Sequence, residues 1–207
     1  TLYGGTGNDS FSVDNLADVV VELAGAGTDT VGASVSWTIG ANLEQLTLLG
    51  NGNLSGTGNA LANVITGTNS SGGVFGSGGA NTLLGLGGND TIYGGSGNDA
   101  IDGGSGDDIM YGGSQNDIYT VSSTADQVIE TAGNGIDLVY SAVTFTLGEN
   151  VENLTQTGTG AIDGTGNALN NVILGTSGAN SLSGGAGNDS LVGGDGDDVL
   201  VGGAGND

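Results

Sequence analysis

Aspartates recur in this chain at intervals of nine residues, each following a glycine-rich turn signature. Asp90, Asp99, Asp108 and Asp117 form one run, Asp189, Asp198 and Asp207 another, and Asp9 stands alone in the same setting. Carboxylates are hard oxygen donors, and glycine allows φ > 0 and a close approach of backbone to an ion, so turns of this kind suit a divalent cation. Catalysis has little else to use. Histidine, lysine, arginine and cysteine are all absent, which removes the usual bases, nucleophiles and oxyanion stabilisers. Paired carboxylates can cleave a glycosidic bond, but nothing separates such a pair from the recurrent aspartates. The chain is therefore expected not to be an enzyme in this segment.

The charge balance points the same way. Asp and Glu number 23 in 207 residues and no side chain is basic, for a formal charge of −23. Phosphate binding depends on Lys and Arg, so nucleic acid is excluded as a partner, and an anionic membrane surface would repel the chain. No apolar run reaches the roughly 18 residues of a membrane span, so no membrane insertion is expected. Fixed charge of one sign opposes compaction unless cations neutralise it. Without cysteine there is neither disulfide nor thiolate metal site. Both ends fall in or beside repeats, and the sequence reads as an excerpt of something longer.

Those repeats are nested. Nonapeptides run from Gly4 (GGTGNDSFS), from Gly85 (GLGGNDTIY, GGSGNDAID, GGSGDDIMY, GGSQNDIYT) and from Gly184 (GGAGNDSLV, GGDGDDVLV, GGAGND). Weaker units start at Gly58, Gly76, Gly166 and Gly175, where Asn63, Asn81, Asn171 and Asn180 replace the aspartate. A longer period lies on top: residues 4–99 align without gaps to 112–207 at an offset of 108, with roughly half the positions identical. That offset is twelve nonapeptides, which a continuous solenoid would keep and separate globular domains would not. The segments 13–57 and 121–165 are less regular. Val31, Ala33, Val35, Trp37 and Ile39 alternate with Ser34, Ser36 and Thr38, and Val139, Val143, Phe145 and Leu147 echo this in the second copy. Alternation of this type predicts half-buried strands, with further short strands at Asp18–Glu22 and Glu44–Leu48. No helix is expected.

The nonapeptide GGxGxDxUx resembles the hemolysin-type calcium-binding repeat of RTX proteins, a signature of calcium-binding parallel β-helices. The resemblance implies an all-β, right-handed parallel β-roll with about 18 residues per coil and Ca²⁺ in its turns. It makes 1–207 one solenoid of two long units, 4–111 and a shorter 112–207, with calcium-rich turns at 4–12, 85–120 and 184–207. Two nonapeptides to a coil place Asp90 beside Asp108, Asp99 beside Asp117 and Asp189 beside Asp207. The implied ligands are these carboxylates, those of Asp9 and Asp198, and carbonyls around Gly85, Gly87, Gly94, Gly103, Gly112, Gly184, Gly193 and Gly202. The relaxed turns AGAGTDTV (24–31) and AGNGID (132–137) add Asp29 and Asp137. Asparagine is a weaker calcium ligand, so the coils around 58–84 and 166–183 are expected to be metal-poor, their amides hydrogen-bonded along the axis. These coils and the alternating-strand coils of 13–57 and 121–165 are expected to keep the same nine-residue phase. An inward column runs through Phe11, then Ile65 to Tyr119, then Ile173 to Leu200.

In function, the resemblance implies a bacterial protein, exported by type I secretion and folding on calcium outside the cell or at its surface. The expected role is a structural module of a surface, S-layer-like, fibre or adhesin protein, in contact with copies of itself or with polysaccharide. The alternatives are the non-catalytic region of a secreted protease, lipase or alginate epimerase, or a calcium-dependent polysaccharide-binding module.

Overall fold

The structure, a computed structural model, describes residues 1–207. It contains strands and turns and no helix. The reason lies in composition: β-branched residues favour the extended backbone, while glycine, asparagine and aspartate supply turns. Successive strands alternate between two flanks of a solenoid. One flank is a parallel sheet of 11 strands running from Ser10–Val13 to Ser190–Val192. The other is divided into parallel sheets of two, six and four strands. The molecule is thus a β-solenoid of about 11 coils.

With a period of two, the three-residue strands of the long sheet send one side chain inward up to the last coil. Its four-residue strands send two, as Phe11 with Val13, Leu46 with Leu48 and Tyr119 with Val121. On the long sheet the inward column is Phe11, Val31, Leu46, Ile65, Leu83, Ile101, Tyr119, Val139, Leu154 and Ile173, all buried. Val74, Ile92, Met110 and Val128 face it from the other flank. Gly56 occupies the same column because the space is already filled: a Cβ there would lie 2.9 Å from Leu46 Cδ2 and 3.2 Å from Ile65 Cγ2. The column opens at the last coil, where Leu191 is half-buried and Leu200 is 47% exposed. Outside the six-stranded sheet, Phe75, Tyr93 and Tyr111 stack, with ring centroids 5.4 and 4.4 Å apart.

Through the nonapeptide stretches the register advances by one pair of repeats per coil, as Ile65, Leu83, Ile101 and Tyr119 pair in turn. The expected nine-residue phase does not hold through 13–57. There the strand partners are Phe11 with Val31, Val31 with Leu46 and Leu46 with Ile65. The same coils bring Asp9 to Asp29, Asp29 to Glu44 and Glu44 to Asn63, at sequence separations of 20, 15 and 19. The second copy repeats the steps from Tyr119 through Val139 and Leu154 to Ile173. A long coil, a short one and a slightly long one compensate, so that six coils complete one long repeat and the phase returns.

The alternating segment is also divided. Thr30–Ala33 joins the long sheet, the chain bends at Ser34–Val35, and Trp37–Thr38 joins the other flank. One run of alternation thus serves two strands around a corner. Asp18 lies in a turn ahead of the strand Val20–Val21, and Glu44 immediately ahead of Gln45–Leu48.

Candidate metal sites

The turns place the acidic residues in ladders along the solenoid axis. In each rung one carboxylate oxygen accepts the backbone N–H of the corresponding residue a coil earlier. Asp108 Oδ1 accepts from Asp90 at 2.8 Å, Asp117 Oδ1 from Asp99 at 2.7 Å, and Asp207 Oδ1 from Asp189 at 3.0 Å. The looser turns join the same ladder: Asp29 Oδ1 accepts from Asp9 at 2.7 Å and Asp137 Oδ1 from Asp117 at 2.8 Å. After the short coil the rung is a glutamate. Glu44 Oε2 and Glu152 Oε2 accept the N–H of Asp29 and Asp137, each at 2.9 Å.

At nine acids the second oxygen is left open. Asp9, Asp29, Asp90, Asp99, Asp108, Asp117 and Asp189 each bury Oδ2, and Glu22 and Glu130 each bury Oε2, with no hydrogen-bond partner. Isolating a charged oxygen from water costs several kcal/mol unless a counter-charge or a proton meets it. No side chain of this protein can be that counter-charge, since Lys, Arg and His are absent. In the nonapeptide turns the open oxygens face the first glycine of their own unit. A Cβ on Gly85 would come 2.6 Å from Asp90 Oδ2 and overlap the Gly103 carbonyl; one on Gly94 would overlap Asp99 Oδ2 and lie 2.5 Å from the Gly112 carbonyl. Gly184 faces Asp189 Oδ2 and, at 2.6 Å, the Gly202 carbonyl, while Gly193 and Gly202 face Asp198 and Asp207. The cradles at Gly85, Gly94 and Gly184 therefore combine a carboxylate with the glycine carbonyl of the next coil. That is the donor set of a hard divalent ion, and the residues present fit calcium. Gly87 lies off this line, bridging to Ser105.

Burial pushes these acids up. Asp90 and Asp117 titrate at about 7, chiefly because burial disfavours the anion and secondarily because neighbouring acids repel it, against the lowering effect of the ladder N–H bonds. Asp99, Asp108, Asp137 and Glu130 are raised by burial in the same way.

The family described as RTX calcium-binding nonapeptide repeat (4 copies) matches residues 1–20, 75–110, 84–119, 165–200 and 174–207, a little over half of the chain. The chain belongs to that family. RTX repeats bind calcium and fold as a β-roll, and proteins that carry them are secreted by bacteria. The chain is also similar to an endo-1,3-1,4-beta-glycanase, ExsH, of Rhizobium meliloti, with 40% identity over 67 residues; the aligned part is 32% of this chain and 14% of the glycanase.

The asparagine units of this RTX roll differ from the aspartate units in one respect: their side chains satisfy themselves. Asn63 Nδ2 donates to the Leu43 carbonyl at 3.2 Å, and its Oδ1 accepts the Asn59 N–H at 2.8 Å. Asn171 Nδ2 donates to the Val151 carbonyl at 3.1 Å, and Asn81 Nδ2 to Asp99 Oδ1 at 3.0 Å. None of these amides leaves a buried atom without a partner.

Two further acids are likewise occupied. Asp126 Oδ2 accepts the N–H groups of Ser122 and Ser123, at 3.0 and 2.9 Å. Asp18 Oδ2 does the same for Asp14 and Asn15, at 3.4 and 3.3 Å. Glu22 and Glu130 fall outside every nonapeptide turn of the sequence. The structure brings them to Asp9 and Asp29, and to Asp117 and Asp137, respectively. The available signal was their recurrence one long repeat apart.

Proposed function

We propose that this chain is the calcium-responsive, non-catalytic roll of a longer extracellular protein, unfolded where calcium is scarce and condensed where it is plentiful. The observation that carries this reading is the set of nine buried carboxylate oxygens without partners, in a chain with no cationic side chain. Calcium, when bound, supplies the divalent charge that the chain lacks. Asp90, Asp99, Asp108, Asp117, Asp189, Asp198 and Asp207 present carboxylates to it, with the glycine carbonyls of adjoining coils. Asp9, Asp29 and Asp137 do so from the less regular turns.

Folding without a cation would bury these anions against one another under a net charge of −23, and self-repulsion favours the open chain. Extracellular calcium modules bind with Kd of about 10⁻⁴–10⁻³ M. Each site then contributes on the order of 1 kcal/mol at millimolar calcium. Because each rung donates to the next, a coil closed by one ion pre-forms half of the adjoining site, and the transition is cooperative along the stack.

The larger role that fits these features is structural: six-coil units repeated in a surface, S-layer-like, fibre or adhesin protein, secreted by a bacterium. The similarity to part of a glycanase favours a second reading, in which the roll is the non-catalytic region of a secreted glycan-acting enzyme. The full-length gene separates them by the presence or absence of an adjoining catalytic domain. Small-angle scattering tests the folding reading itself. The radius of gyration of the chain should contract on adding millimolar calcium and expand again with chelator; equal radii in both conditions would contradict it.

A further inference from the structure

We infer that Asp117, Glu130 and Asp137 form a three-carboxylate cation site of a different kind from the nonapeptide turns, and that Asp9, Glu22 and Asp29 form its copy one long repeat earlier. Within each trio, oxygens from all three residues lie within 4.8 Å of one another. The second trio is 1%, 7% and 2% exposed, and Asp117 Oδ2 and Glu130 Oε2 have no partner. In the first trio all three residues leave an oxygen open. Glu22, Asp29, Glu130 and Asp137 all lie outside the residues that match the RTX repeat.

The stacking explains how a glutamate enters. At Gly85, Gly94 and Gly184 the cradle includes the carbonyl of the glycine two repeats on: Gly103, Gly112 and Gly202. Two repeat lengths beyond Gly112 stands Glu130, and two beyond Gly4 stands Glu22. Their carboxylates reach the cradle themselves: a Cβ on Gly112 would overlap Glu130 Oε1 and Asp117 Oδ2, and one on Gly4 would overlap Glu22 Oε2 and lie 2.7 Å from Asp9 Oδ2. A glycine carbonyl is thereby exchanged for a charged side chain, and the looser turn adds a third acid one coil on. More ligand charge means tighter binding, so these sites should take a divalent ion, calcium first, ahead of the plain turns. A purely structural role for Glu130 is available through the Tyr119 hydroxyl, which donates to its Oε1. Phe11 holds the matching place beside Glu22 and offers no hydroxyl, yet Glu22 is buried as fully.

The ion class assumed here rests on the reading of the turns as calcium sites. Calorimetric calcium titration of the full chain tests the trios separately, with Glu22→Gln, Glu130→Gln and, as an exposed control, Glu149→Gln. The wild type should show two tight ions above a weaker class. Each buried variant should lose one tight ion, its affinity falling about tenfold or more, while the control and the weaker class stay unchanged. Wild-type stoichiometry and affinity in both buried variants would overturn the inference. Should a variant fail to fold, lanthanum alone, titrated into the calcium-loaded wild type, gives a second reading. Two ions should exchange first, since trivalent charge matches three carboxylates, whereas uniform displacement would contradict the trios. If two tight ions bind while calcium fails to fold the wild type, the folding reading falls and the trios stand. If calcium folds the chain and both buried variants bind as wild type does, the reverse holds.

Discussion

At the scale of single residues, an aspartate and an asparagine in the same turn do different work. Both share in the ladder of backbone N–H bonds, but only the aspartate leaves a buried oxygen open. Asp99→Asn should therefore keep the coil and weaken its ion. Circular dichroism titrations should show the calcium midpoint of the variant raised with the final spectrum unchanged; an unmoved midpoint would mean that Asp99 holds no calcium. The same open oxygens make the calcium-free roll sensitive to acid. Asp90 and Asp117 titrate near 7 when folded, raised by burial, against about 3.9 in an unfolded chain. A carboxyl whose folded pKa is raised favours folding below its unfolded pKa, and that advantage is lost as pH climbs through the folded value. Calcium-depleted protein should thus gain β signal on acidification from pH 7 towards 4, with protons in place of the metal, and should lose it again on return to neutral pH. A calcium-free β signal that fell on acidification through that window would show the sign to be wrong.

At the scale of strands and coils, one or two inward side chains per strand of the long sheet make a thin core in which each member counts. Leu83 is fully buried between Ile65 and Ile101. Leu83→Ala should destabilise the calcium-loaded protein by about 2–5 kcal/mol, and Leu61→Ala, at an exposed position, by no more than about 0.5 kcal/mol. Urea unfolding of both variants in saturating calcium is the check, and equal losses would disprove the inward column. Much of this element pattern was legible in the sequence, because a nine-residue unit fixes both the turn and the inward residue. Ile65 to Tyr119 needed only that rule. Leu200 departs from it, lying 47% exposed on the edge strand of the four-stranded sheet. The segment 13–57 departs from it too. Its long, short and slightly long coils follow from where the chain turns corners, and period-two alternation does not mark a corner between Ala33 and Trp37. Glu22 stands two repeat lengths beyond Gly4 and recurs as Glu130, but no turn motif of its own marks it as a neighbour of Asp9 and Asp29.

At the scale of the whole molecule, the absence of every cationic side chain is the governing fact. The solenoid bears a charge of −23 and aligns acids on consecutive coils, an arrangement that stacks like charges about 4.8 Å apart along the axis. Ordinary folding would oppose that alignment. A solenoid that closes around cations makes use of it, since each carboxylate then serves the coil on either side. The long period belongs to this scale too. Irregular coils are tolerated because their lengths compensate and return every later turn to register. Circular dichroism of the chain during a calcium titration tests the central claim most directly. A cooperative gain of β signal around millimolar calcium, reversed by chelator at neutral pH, is the predicted result. A β spectrum that is the same with and without calcium would contradict it.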